Sequence, residues 1–324
     1  MLDPWLELPG ARELVGRLGE VAGLDLLRLG TTANADEIKD TAVTQPLIVA
    51  LALLVARRLT LSEGVVVAGH SVGEITAAAV TGVLDADVAV AFAARRGAEM
   101  AAACALAPTG MAAVLGGDVD AVLEAIAAHG LTAANRNATG QIVAAGALPG
   151  LAALAAGAPE RARVRPLPVA GAFHTQFMST ARTALAAYAA GISAEDPDHL
   201  LLSNADGRPV TSGPEVLRRL VSQVTESVRW DLCQETLGRL GVRSVVELPP
   251  AGALVGMAKR ELPGIELLAL KSPADLDRAQ AMIDATPTGD TAAAALSASG
   301  TALGQDRWES DPTAGPVHPA ATEH

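Results

Sequence analysis

Aromatic side chains are scarce in this chain, 2% of 324 residues, and basic ones are in the minority, with 24 Lys+Arg against 36 Asp+Glu for a net charge of −12. Coating nucleic acid takes a basic face that neutralises phosphates and rings on which bases stack, so this composition excludes such a role. Cysteine is nearly absent: Cys104 and Cys233 stand far apart, without a CxxC pair or a Cys/His cluster. That excludes a disulfide scaffold, gives no support to a metal centre and points to a reducing compartment. Long apolar runs are missing as well. The longest, residues 46–56, is too short to span a bilayer, and the opening Met1-Leu2-Asp3-Pro4-Trp5 has neither the basic start nor the apolar stretch of a signal peptide. A cytoplasmic protein that engages neither membrane nor nucleic acid is the expectation.

What is present is an apolar half of the composition and a length that suits about two domains, or one domain with an insertion. Ala-rich helical segments at 11–18, 45–59, 72–81, 86–104, 174–190, 215–225, 231–240 and 253–260 alternate with short β-branched runs at 65–68 and 242–248. This is the pattern of a mostly parallel sheet covered by helices, an α/β core. Residues 111–169 read differently, as strand 111–117, helix 118–129, strands 131–137 and 141–147, helix 148–159 and strand 162–169. That βαββαβ order is the split βαβ, or ferredoxin-like, unit. The expected organisation is a discontinuous core at 1–106 and 172–285 with a ferredoxin-like subdomain inserted at 107–171. From 286 to 324 the chain turns to Ala, Gly, Ser, Thr and Pro without an apolar period, the composition of a disordered tail.

The strongest chemical signal is Val65-Val66-Val67-Ala68-Gly69-His70-Ser71-Val72-Gly73-Glu74, an apolar strand that runs through Gly-x-Ser-x-Gly into an Ala-rich helix. This is the layout of a nucleophile elbow, in which two glycines allow a turn too sharp for side chains and Ser71 stands at its tip. The Val72 N–H then points to the oxyanion formed when Ser71 attacks a carbonyl. A serine hydroxyl needs a base. Among the histidines, His318 and His324 fall in the tail, His129 ends a helix and His199 lies in a polar loop. His70 is inside the elbow, placed either to pack beneath the turn or to line an acyl pocket. His174 remains, where a strand gives way to a helix, a position that equally suits a cap or a surface residue.

Taken together, Gly69-His70-Ser71-Val72-Gly73-Glu74, Arg95-Arg96-Gly97 with Met100, Gly110-Met111-Ala112-Ala113-Val114, Asn135-Arg136-Asn137 with Gly140-Gln141, Phe173-His174 and Glu247-Leu248-Pro249-Pro250 resemble the malonyl-CoA:acyl-carrier-protein transacylases. The matches run in family order over about residues 41–272. The resemblance implies a hydrolase-like core with a ferredoxin-like insertion, a coenzyme A thioester as substrate, an acyl carrier protein as partner, and no metal or redox cofactor. It implies Ser71 as nucleophile, His174 as base, the Gln223 carbonyl as the group that holds the second imidazole nitrogen, and Arg96 as the clamp on the malonyl carboxylate. A guanidinium can bind a carboxylate by two parallel bonds. Arg95 and Arg96 also fit a solvated helix face, where at most one of them turns inward. Gln45 and Asn137 match polar residues that line the family's site. Phe173 would crowd a methyl at C2 of the acyl group, which favours malonyl over methylmalonyl; it also fits plain core packing.

Two departures and two rival readings accompany the resemblance. Family members open with a β-strand and a Gly-Gln-Gly-x-Gln loop, and neither precedes the first helix here. The expectation is therefore one strand and half of an oxyanion hole fewer than usual, from a start assigned too late or from an inactive relative. The rivals are a serine esterase, or a patatin-like lipase with a Ser71/Asp206 dyad, and a non-catalytic scaffold that binds carrier protein or coenzyme A. A carrier protein is itself acidic, so docking to this chain calls for a local basic patch, for which Arg161/Arg163/Arg165, Arg218/Arg219 and Lys259/Arg260 are the candidates.

Overall fold

Ten strands carry two separate kinds of sheet in the computed structural model, which describes residues 1–169 and 171–285. They are β1 (Val66–Val67), β2 (Thr109–Gly116), β3 (Thr132–Ala138), β4 (Gln141–Ala147), β5 (Ala162–Pro166), β6 (Leu200–Leu202), β7 (Pro209–Val210), β8 (Val228–Arg229), β9 (Ser244–Glu247) and β10 (Glu266–Ala269). The expected tail, 286–324, lies outside the described residues, as do His318 and His324. No helix among the described residues is long and apolar enough to cross a membrane.

The core strands are short and only partly parallel. β1 runs parallel to β6, with Val66 opposite Leu200, while β7 returns antiparallel to β6; β9 and β10 form a second, parallel pair. In place of the one mostly parallel sheet expected, the core has two pieces, and it is a mixed α/β arrangement. Between Val66–Val67 and Ser244–Glu247 lies a largely apolar cleft of about 880 Å3, floored by Ile48, Ala52, Ala77 and Met282. The strand edges that flank it are unpaired among the described residues. Each such edge is a row of unsatisfied backbone donors and acceptors.

Helices close the core around the elbow. Thr41–Ala56 is apolar on every side and buried along most of its length, as its run of Leu, Val and Ala requires. Ala86–Cys104 lies against it, and Gly97 lets the two approach: a Cβ there would stand 2.5 Å from the Thr41 carbonyl oxygen. Arg96 is thereby turned inward, while Arg95 stays outside on Glu99 and over the Tyr188 ring.

The second sheet is continuous, in the order β5-β2-β4-β3-β8. The first four strands are antiparallel, and β8 joins β3 in parallel with Asn135 opposite Val228. Alternation along these strands gives the sheet two apolar faces. One, with Val114, Ile142 and Ala144, packs on Ile126 and Leu154 of the unit's own helices. The other, with Met111, Ala134 and Val143, packs on Ala172 and Phe173, next to the histidine. The pairing with β8 shows that the sheet extends beyond the expected 107–171 segment and takes in the strand that follows Gln223.

Candidate active site

The elbow forms because β1 is followed, two residues past its end, by a glycine that cannot be replaced. A Cβ on Gly69 would sit 2.1 Å from the Gly73 carbonyl, so the chain folds back on itself only with hydrogen at that position. At Gly73 a Cβ would meet nothing within 4 Å, and the turn thus needs one glycine for space rather than the two anticipated. Ser71 is held with φ +51°, in the left-handed region that costs a non-glycine residue about 1–2 kcal/mol. The conformation is fastened from both sides by Asn204: its Oδ1 accepts from the Ser71 N–H at 2.8 Å, and its Nδ2 donates to the Gly69 carbonyl at 2.7 Å. Val72 caps the helix Gly73–Val80, and its own N–H has no hydrogen-bond partner among the described residues.

His174 reaches the serine from the other end of the inserted segment. It does not open a helix; it occupies a left-handed turn, φ +59°, ahead of the short 3-10 turn Gln176–Met178. Thr175 secures that turn by donating its hydroxyl to the Ala172 carbonyl at 2.7 Å. His174 Nε2 lies 2.8 Å from Ser71 Oγ, and its Nδ1–H donates to the Gln223 carbonyl at 2.7 Å. Of the other described histidines, His199 is engaged with Asp198 and His70 with Asn137, and His129 ends the helix Val119–Ala128 far along the chain from Ser71. Asp206 is turned towards Arg219 at 2.9 Å and accepts from the Arg208 N–H of its own turn, so the alternative Ser71/Asp206 dyad has no geometric basis.

Arg96 is 2% exposed, beside the nucleophile. Its Nη1 donates to Gln45 Oε1 at 2.6 Å and its Nη2 to Gln223 Oε1 at 2.9 Å, with Ser71 Oγ 3.3 Å from the same Nη2. Its Nε is buried without a partner among the described residues. Among the described residues no carboxylate is bonded to it, so the cation is held by two amide oxygens and the serine hydroxyl and its charge is uncompensated at first contact. His70 stands edge-on to Trp230 at 5.7 Å and donates from Nε2 to Asn137 Oδ1 at 2.8 Å. Asn137 is itself fixed through its carbonyl by Gln234. Phe173, half-buried, packs against both the main core and the Met111/Val143 face of the inserted sheet.

The acyl transferase domain family matches residues 14–261. The chain belongs to that family. The malonyl CoA-acyl carrier protein transacylase of Mycobacterium tuberculosis (strain ATCC 25618 / H37Rv) is 58% identical over 282 residues, which cover 86% of this chain and 93% of the relative. A crystal structure of MCAT from Mycobacterium tuberculosis superposes with a TM-score of 0.83 at 56% identity, over 86% of this chain and 94% of that one. A type II PKS acyl-carrier protein in complex with its malonyl-transacylase, PlMCAT:AntF, matches with a TM-score of 0.80 at 26% identity, over 87% of this chain and 94% of that one.

Burial sets the electrostatics of the family's site in this chain. Desolvation, aided by the Arg96 charge, holds the His174 imidazole far below its ordinary value, at about 3, so it rests neutral and able to accept a proton. Burial also draws Arg96 down to about 10. Glu74, 6% exposed in the first turn of the elbow helix, is pushed up to about 7 by burial against the pull of its hydrogen bonds and of Arg96. Among the described residues no cluster of His, Cys, Asp and Glu could hold a metal ion. Sequence reasoning did not single out Glu74 or Asn204. The signal for Glu74 was its isolation, one acid in an otherwise apolar helix; Asn204 was hidden in a stretch that reads as an ordinary Asn-Ala-Asp-Gly turn.

Proposed function

We propose that this chain transfers a malonyl group from coenzyme A to the phosphopantetheine thiol of an acyl carrier protein through an ester on Ser71. The observation that carries the reading is the juxtaposition of the Ser71–His174 pair with a buried guanidinium whose Nη2 is 3.3 Å from the serine oxygen. An esterase needs the pair alone, whereas an acyl group that ends in a carboxylate needs the cation too. His174 Nε2 takes the Ser71 proton as Oγ attacks the thioester carbonyl, and the Gln223 carbonyl keeps the other nitrogen protonated and the ring aligned. The Val72 N–H donates to the tetrahedral oxyanion. The imidazolium returns its proton to the departing coenzyme A sulfur, and the carrier thiol then attacks the ester by the same steps in reverse, which balances without metal or redox cofactor.

Arg96 has a second effect in this reading. Its charge is, after burial, the larger of the remaining causes that depress His174, so a malonyl carboxylate seated on it relieves that repulsion and strengthens the base. Gln45, which already orients Arg96, together with Asn137 and His70, lines the acyl site. Phe173 crowds the C2 position; a methyl group there is worth only about 1–3 kcal/mol of discrimination. The unit formed by β2 to β5 is read as ferredoxin-like, supported by its βαββαβ order and its β5-β2-β4-β3 neighbours. A cytoplasmic setting fits a coenzyme A thioester and a carrier protein as reactants.

Intact mass after brief incubation with malonyl-CoA tests the proposal, with acetyl-CoA and Ser71→Ala alongside. A malonyl adduct that is absent in Ser71→Ala and weak with acetyl-CoA is the expected result. Equal labelling by acetyl-CoA would overturn the role given to Arg96, and no adduct would overturn the transfer itself.

A further inference from the structure

The imidazole of His174 leans on a carbonyl instead of a carboxylate, yet a buried carboxylate lies two hydrogen bonds away. Glu74 Oε1 accepts from the Asn204 N–H at 2.6 Å, and its Oε2 accepts from the side-chain amide Nε2 of Gln223. Both partners are buried and both touch the reacting groups. Asn204 grips Ser71 through the serine's own N–H and holds the Gly69 carbonyl behind it. Gln223 supplies the carbonyl to His174 and, through Oε1, the acceptor for Arg96. Its Nε2 also reaches Asn204 Oδ1 and the Ser71 carbonyl, each at 3.3 Å.

We infer that Glu74 is the positioning residue of this site, acting through Gln223 and Asn204 to hold Ser71, His174 and Arg96 in one alignment. The physical reason is the direction of the hydrogen bonds. An amide can face either way, but Glu74 has an N–H aimed at each of its two oxygens and accepts at both, as an ionised carboxylate does. With Glu74 at its end, Gln223 must present Nε2 to the carboxylate and hence Oε1 to Arg96. A glutamine at position 74 would offer an NH2 to one of the two donors it now satisfies. Either the Asn204 N–H loses its acceptor, or Gln223 turns over and points an NH2 at the guanidinium. No change of volume is involved, so polarity alone is tested. The inference rests on the transfer proposed above and adds to it a group that never touches the substrate.

The experiment is a single-turnover time course of malonyl adduct formation on the full chain, in which rate constant and final amplitude are read separately. For Glu74→Gln the expected result is an amplitude near one malonyl per chain with a rate constant about 10- to 100-fold lower, the range expected for misdirecting a charge-assisted bond. The preference for malonyl-CoA over acetyl-CoA falls as well, because Arg96 loses its fixed partner. Asn204→Asp is read in the same way: it keeps an acceptor for the Ser71 N–H but has no N–H for the Gly69 carbonyl, and it slows the reaction at full amplitude. A merely structural role would lower the amplitude in proportion to the folded fraction and leave the rate constant unchanged, and that result overturns the inference. So do wild-type rate constants in both variants. An unsubstituted chain that forms no adduct overturns the transfer reading instead, and this is seen before any variant is made.

Discussion

In the sheet built from residues 109–166, strands of five to eight residues pair over most of their length, whereas the strands that end at the elbow and at Glu247 have two and four residues and each pairs on one side. The long strands spend their backbone groups on one another. The short ones stop early, and the chain beyond them is free to turn: Gly69 to Gly73 folds back at the end of β1, and past β9 Glu247 accepts three backbone N–H bonds from Gly252, Leu254 and Val255. His70, Ser71, Val72 and Glu74 follow β1 and Asn204 follows the short β6, while Gln45 and Arg96 come from the core helices and Gln223 from a 3-10 turn. Only Asn137 comes from the regular sheet, while His174 and Phe173 stand just past its end. The lesson is a division of labour, in which an extended ladder supplies a rigid wall and interrupted strands supply the conformations that a nucleophile needs.

The largest test of that division is Leu154→Ala. Leu154 is fully buried in the apolar cluster between the inserted sheet and its own helices, on the face away from Ala172 and Phe173. Removing it is expected to cost about 2–5 kcal/mol in a denaturant titration, from lost transfer free energy plus the cavity left behind. The rate constant of malonyl adduct formation on folded protein should stay within about threefold of the unsubstituted chain. A loss of rate as large as the loss of stability would show that the wall and the site are one cooperative unit, coupled through the pairing of β3 with β8 and the Ser227 hydroxyl bond to Ala133.

The same contrast explains what could be read in advance. Strand β4 was legible to the residue, Gln141–Ala147, because a turn at Gly140 and the Leu148-Pro149 helix start mark its ends. The elbow was legible because an apolar run, a glycine and an Ala-rich helix fall in sequence. Strands β6, β8 and β10 were not, since runs such as Leu200–Leu202 and Val228–Arg229 are too short for alternation to register. The helix Leu276–Asp284 was passed over, and the start of the helix expected at 174 proved to be a left-handed turn. Pattern also gave no warning that the core sheet falls into two pieces, because that depends on which strands meet across the fold. Asn204 escaped for a related reason: its local sequence reads as a turn, and its use is defined chiefly by Ser71, Gly69 and Glu74, more than a hundred residues earlier.

A smaller effect separates the regions by pH. Glu74 carries a carboxyl whose folded value is raised to about 7 from 4.5, so the folded chain binds this proton more tightly than the unfolded one. The stability it contributes is fully present below about pH 4.5 and is lost as pH rises through 7. Unfolding titrations of the unsubstituted chain and Glu74→Gln between pH 4.5 and 8 should therefore diverge. The unsubstituted chain loses on the order of 1–3 kcal/mol relative to the variant over that window, while shifts from His174 are common to both and cancel. In Leu154→Ala the difference from the unsubstituted chain should be flat over the same range, since the deleted atoms are apolar. A flat difference for Glu74→Gln would place the carboxyl close to its ordinary value and remove the basis of the contrast.

The smallest effect concerns the outer edge of the regular sheet and asks whether the wall has a function of its own. Arg163 and Arg165 are exposed on one face of β5, an edge strand, and neither has an ion pair among the described residues. Among the other basic clusters, Arg218 and Arg219 are both bound to Glu215, whereas Lys259 and Arg260 are exposed without an ion pair among the described residues and Arg260 is tied only to the neutral Gln141. An acidic carrier protein approaching a chain of net charge −12 would find uncompensated positive charge on that strand. Reversing both, Arg163→Glu with Arg165→Glu, is expected to raise the carrier-protein KM about 3- to 10-fold at low salt and to leave malonyl adduct formation from coenzyme A unchanged. The difference should shrink towards one as added salt shortens the screening length to about 3–5 Å, because exposed charges at a rim steer encounter more than they hold the complex. A KM unaffected at low salt would move docking to another face and leave the inserted sheet with a purely architectural part.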